Sequence, residues 1–190
     1  MTENFDKSEK YRKYVIELQF KEVDLYTIWG TDMLDCENDK LLVKGAKLIV
    51  FKTLDLLETS LEKLEHPFMD KQNFKKWVCE ENLKQVYNVN NVKLLADFNL
   101  NLLEDKKSSL DILNSINLIQ DFFIQINAED LDNIYGDSSV ADLKDFIYNN
   151  YFWEKRSDGS DYKVLEHADI QRLLNELYND FYSKLKIIDI

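Results

Sequence analysis

Cys36, His66, Cys79 and His167 make up the whole cysteine and histidine inventory of this 190-residue chain. A zinc site draws on about four such groups or carboxylates, commonly with pairs two to five residues apart. No two of these four are that close, so the sequence predicts no bound metal and no cofactor. Nucleophilic catalysis asks for a base beside a serine or cysteine. Cys79 could meet His66 or His167 only through the fold, and no local motif supports the pair; buried thiols and surface imidazoles are the expectation. Gly30, Gly45, Gly136 and Gly159 are the only glycines, and they build neither a phosphate-cradling loop nor a G-x-S-x-G turn.

Carboxylates are plentiful, but their spacing is poor for acid–base work. Glu80–Glu81, Glu104–Asp105 and Glu129–Asp130 are sequence neighbours, and adjacent residues on a helix point about 100° apart. Each therefore reads as solvated charge. Asp130 and Asp132 lack the glycine and distal glutamate of a calcium loop. The chain is expected not to be an enzyme.

Charge distribution is more informative. The net charge is −12; residues 1–95 carry 15 basic and 17 acidic groups, and residues 96–190 carry 9 and 19. Ser108–Asp145 holds eight carboxylates against Lys144 alone. Such a surface repels nucleic-acid backbones and anionic lipid, and it attracts a basic protein partner. "YFWE" (151–154) cannot turn all three aromatics inward as a strand, and aromatics are frequent interface anchors. Asp130, Asp132, Tyr135, Asp137, Asp142, Trp153 and Glu154 are the candidate partner-binding residues. Two unclustered cysteines favour a reducing compartment. The first residues form no signal peptide, and no apolar run exceeds Leu48–Phe51. A cytoplasmic protein without a membrane span is the expectation.

The elements that must position these groups follow from periodicity. Tyr14, Ile16, Leu18 and Phe20 alternate with Glu17, Gln19 and Lys21 as one strand. "YTIWG" is a second, and "KLLV" and "KLIVF" flank the turn "KGA" as a hairpin. Thr53 offers an N-cap to a helix with Leu54, Leu57, Leu61 and Leu64 on one stripe, stopped before Pro67. Residues 70–82 read as a helix with Phe74 and Trp77 inward. Residues 84–103 are broken by asparagines and fit a short strand followed by a short helix.

Ile112, Ile116, Ile119, Phe123 and Ile126 recur at helical spacing, opposite a polar line of Asn114, Asn117, Asp121 and Gln125. A short helix and loop over 127–139 follow, then a helix with Val140, Leu143 and Ile147 inward. A hairpin about "SDGSD" comes next, and Ile170 through Ile188 read as a long terminal helix. The whole is expected to be a single α+β domain over 1–190: a small N-terminal antiparallel sheet (roughly 10–52), then a mostly helical part (53–190).

"DLYTIWG", "LIVFKTLDLLETSLEKLEHPF", "NFKKWVCEEN", "LDILNSINLIQDFFIQI" and "LKDFIYNNYFWE" span most of residues 24–154. In these stretches the chain resembles bacterial immunity proteins of polymorphic-toxin and contact-dependent growth-inhibition systems. That resemblance implies a protein that binds one cognate toxin domain, often over its active site, with no catalytic residues of its own. Many such toxins are nucleases with basic grooves, which an acidic surface can occlude by mimicking a phosphate field. Two alternatives stand beside it: a cytosolic enzyme with a dispersed carboxylate site, and a generic adaptor or regulatory binding protein.

Overall fold

The computed structural model describes residues 6–61, 63–128, 138–152 and 167–189. The chain divides into two units, Met1–Asn90 with Lys184–Ile190, and Asn91–Ser183. The first is built on a mixed sheet and the second on helices, so the fold is α+β.

In the first unit, a short helix α1 (Asp6–Tyr11) leads into strand β1 (Lys13–Gln19). β2 (Asp24–Asp32) returns antiparallel, with Lys13 opposite Gly30 and Gln19 opposite Asp24. β3 (Asn38–Leu41) pairs with β2, and β4 (Val43–Lys44) forms a hairpin with β5 (Lys47–Phe51). Gly45 supplies the left-handed φ of +62° that this tight turn requires. Helix α2 (Leu54–Leu61) starts as expected, with Thr53 Oγ1 accepting from the Leu56 N–H at 3.2 Å. Helix α3 (Lys71–Glu80) buries Phe74 and Trp77. Together with Leu57, Leu61 and Phe68 they cover the sheet side chains Val15, Ile28, Ile49 and Phe51.

Two further strands extend the expected sheet, and both join in parallel. β6 (Asn88–Asn90) pairs with β1, and β7 (Leu185–Ile188) pairs with β5, Leu48 opposite Leu185 and Phe51 opposite Ile188. The described sheet thus has seven strands and is mixed; an antiparallel sheet ending near residue 52 is corrected. The terminal helix is corrected too, for it stops at Ser183. Leu185 and Ile188 continue the helical spacing, but β5 would otherwise leave backbone groups unpaired. Those groups are met by the terminal segment, Leu48 N–H donating to Lys184 O at 3.0 Å and Lys52 N–H to Ile188 O at 3.1 Å.

The second unit contains α4 (Lys93–Ala96), a 3-10 turn (Leu100–Glu104), α5 (Lys106–Gln125), α6 (Ser138–Tyr151) and α7 (His167–Ser183). α5 is capped by Asp105, whose carboxylate accepts from Ser108 N–H at 2.8 Å. Ile112, Ile116, Ile119 and Phe123 are buried as the periodicity requires, as are Val140, Leu143 and Ile147. Phe122 and Phe123 meet Phe181 of α7 edge-to-face. The polar line of α5 faces α6 in part: Asn117 Nδ2 lies 3.5 Å from the Tyr148 hydroxyl, and Lys144 donates to Gln120 at 3.0 Å. No helix among the described residues is long and apolar enough to cross a membrane.

Candidate functional site

Of the seven candidate partner-binding residues, Asp130, Asp132, Tyr135, Asp137, Trp153 and Glu154 lie outside the described residues, as do the short helix over 127–139 in its greater part and the "SDGSD" hairpin. Asp142 is described, and it is exposed on α6. Val140, Leu143 and Ile147 bury one side of that helix, which leaves Asp142, Asp145 and Asn149 outward. Lys144, the lone cation of the acidic stretch, is half-buried and turned to Gln120 of α5. Burial lowers its pKa, against the nearby Asp121 and Asp145. On α7, Arg172 is held by Glu176 at 3.0 Å. The unit around Asp142, residues 91–183, carries 8 basic and 18 acidic side chains.

The first unit uses charge differently. Lys13 is fully buried, and its ammonium donates to Thr31 O at 2.6 Å and to Asp70 Oδ2 at 2.9 Å, above the Phe68 ring. Gly30 makes room for it, since a Cβ there would stand 2.6 Å from Lys13 Cδ and 2.5 Å from the Arg12 carbonyl. Asp32, also buried, accepts from Lys40 Nζ at 2.8 Å, Met69 N–H at 2.6 Å and Leu34 N–H at 3.1 Å. Burial alone would raise its pKa, but Lys40 and the two amides outweigh burial and hold it below the ordinary carboxylate value. Asp70 Oδ2 receives Met33 N–H at 3.3 Å and Asn73 Nδ2 at 2.9 Å.

Two buried carboxylates therefore anchor the backbone of three apolar residues whose side chains face solvent. Met33 is 42% exposed, Leu34 69% and Met69 59%. The turn between β2 and β3 is further constrained by left-handed Cys36 and Glu37, and by an Arg12–Glu37 pair at 3.0 Å. Sequence reading missed this cluster, because a lysine opening a strand reads as a solvated end. Gly30 inside a strand was the available signal of a close approach.

A groove of about 460 Å³ also lies in the first unit, between α2 and α3. Leu61, Leu64, Phe74 and Val78 give it an apolar floor; His66, Lys71, Lys75 and Cys79 complete the lining. The His66 ring stacks on Phe74 with centroids 4.1 Å apart. Burial, and then the Lys71 ammonium, lower the His66 pKa. His66 is thus half-buried, and both Cys36 and Cys79 are exposed free thiols, which corrects the expected buried cysteines and surface histidine. Cys79, two residues after the buried Trp77, projects to the opposite side of α3 and is exposed. Among the described residues no three His, Cys, Asp or Glu side chains converge as a metal site.

No family model matches the chain, and no curated protein matches it. In fold it is similar to the SatS C-terminal domain, a crystal structure solved in complex with bromine. The TM-score is 0.65 with 14% sequence identity, over 97% of this chain and 98% of that one. At that identity the likeness is one of architecture, and it places the chain in the same α+β fold.

Proposed function

We propose that the protein acts by stoichiometric binding: it neutralises a basic bacterial toxin domain by occluding it with the acidic surface of its helical unit. The partition of charge carries this reading. Residues 91–183 have a net charge of −10, while the sheet unit has 16 basic and 18 acidic groups. An acidic surface confined to one unit steers a cationic partner toward that unit. On α6 the pair Asp142 and Asp145 faces outward, while Lys144 between them turns to α5. Carboxylates of this kind form charge-assisted forks with arginine. The toxin-immunity resemblance of the sequence supplies the kind of partner, and the bacterial cytoplasm is the compartment in which such a toxin would be met.

Affinity capture from the source cell, together with expression of the neighbouring reading frames, tests the reading. The expected result is a one-to-one complex with a basic domain whose activity is lost on binding. Full activity of that domain in the presence of excess protein would overturn it. A second reading, an adaptor, rests on the Met33, Leu34 and Met69 patch, whose polarizable side chains suit varied apolar partners. Binding that survives charge reversal on α6 but is lost in Leu34→Asp would favour it.

A further inference from the structure

We infer that the groove between α2 and α3 is a binding site for a small amphipathic carboxylate, with its aliphatic or aromatic body on the apolar floor and its anionic head at the lysine rim. The volume, about 460 Å³, lies within the range of about 300–1,000 Å³ common to small-molecule sites, which pair an apolar lining with a few placed polar groups. The floor of Leu61, Leu64, Phe74 and Val78 supplies the first part.

Charge at the rim supplies the second. Lys71 and Lys75 stand four apart on α3, so they project from the same side of that helix. Neither makes an ion pair among the described residues, in a chain of net charge −12. The carboxylates nearest in sequence are engaged elsewhere. Glu65 pairs with Lys44 at 3.3 Å, Asp70 with Lys13 at 2.9 Å, and Glu80 with Lys7 and Lys10 at 3.5 and 3.4 Å. An anion is the complement to that rim. His66 contributes a flat ring stacked on Phe74 rather than a charge, since burial and Lys71 disfavour its protonation.

Cys79 in the lining and Cys36 outside it provide a built-in probe and control, both exposed. Octanoate is expected to slow alkylation of Cys79 by iodoacetamide at least fivefold at saturation and to leave Cys36 unchanged. The uncharged analogue 1-octanol should need at least a fivefold higher concentration for equal protection. Lys71→Gln with Lys75→Gln, both at exposed positions, should erase that difference without changing the circular dichroism spectrum. A bound carboxylate should also raise the His66 pKa followed by ring-proton NMR, because it offsets Lys71 and Lys13, the cations that face the ring, and joins Asp70, the facing anion. Equal protection by the two probes, equal slowing of Cys36, or an unchanged octanoate response in the lysine variant would each overturn the inference.

Discussion

The two units of this protein spend their charged residues in opposite ways. In the sheet unit, cations and anions are nearly balanced, and several are consumed in pairs, two of which reach into the interior as Lys13–Asp70 and Asp32–Lys40. In the helical unit, α5, α6 and α7 bury mainly aliphatic and aromatic side chains, with Lys144 turned to Gln120 between α5 and α6, and acidic groups such as Asp142 and Asp145 stay outside. Charge in the first unit is part of what specifies the backbone, since it ties the β2–β3 turn to the residues before α3. Among the described residues of the second, Asp105 caps α5 and Arg172 pairs with Glu176, while Asp142 and Asp145 stand outward. On the proposed reading, the same residue types serve structure in one unit and encounter in the other.

The largest expected effect tests the structural half of that contrast. Lys13→Met leaves Asp70 buried without its cation, and breaking a buried pair in this way costs about 3–5 kcal/mol. Adding Asp70→Leu should recover only part of the loss, because Met33 N–H and Asn73 Nδ2 then lose their acceptor. A urea midpoint for Lys13→Met within error of the parent would remove the buried pair from the account. In the helical unit, a comparable loss should come from an apolar side chain instead. Ile116→Ala should cost about 2–5 kcal/mol through lost transfer energy plus a cavity, and an unchanged midpoint would mean that α5 faces the other way.

Acid titration should separate two carboxylates, one from each unit, by sign. Asp32 has a folded pKa below the ordinary value of 3.8. The stability it contributes is therefore complete above that value and lost as pH falls through the folded pKa. Amide exchange at Leu34 and Met69, the two donors to Asp32, should accelerate over that same window. Asp111 at the α5 surface behaves oppositely, since burial raises its pKa despite Lys107 and Asn91. Its contribution is complete below 3.8 and lost as pH rises through the folded pKa. Asp111→Asn should then stabilise the protein at neutral pH, whereas Asp32→Asn should destabilise it. Urea midpoints for both variants at pH 7 that shift in the same direction would break the contrast.

What could be read in advance also divides along this line. The helices of the second unit are periodic and amphipathic, so α5 and the inward residues of α6 follow from spacing alone. The hairpin at Gly45 and the Thr53 cap were legible because turn and cap chemistry is local. Pairings between distant segments were not: the short strand and short helix expected within 84–103 are β6 and α4, but nothing local told that β6 would join β1 in parallel, or that the terminal segment would become β7 beside β5. Lys13 carries no sequence mark of burial, because its partner is 57 residues away. The lysine rim of the groove depends on where Glu65, Asp70 and Glu80 turn, which spacing does not record. The acidic bias, by contrast, was visible from the sequence, as was its concentration in the second half of the chain; the fold added only the boundary of the unit that carries it.

The smallest effect on stability should accompany a marked effect on association. Asp142→Lys with Asp145→Lys reverses the outward pair on α6, and surface substitutions of this kind usually shift stability by about 0.5 kcal/mol or less. Lys13→Met and this double variant thus bracket the contrast between the units. If the acidic unit steers a basic partner, the double variant should associate more slowly, and its on-rate should respond less to salt. Exposed charges act over about 10 Å at 0.1 M salt, and rim charges set the on-rate more than the off-rate. Dissociation should slow or quicken little unless one of the two carboxylates is desolvated against an arginine, in which case the off-rate rises as well. Stopped-flow traces at two ionic strengths distinguish these outcomes. An unaltered on-rate together with an unaltered salt response would move the interface to the sheet unit, where Met33, Leu34 and Met69 are already held in place.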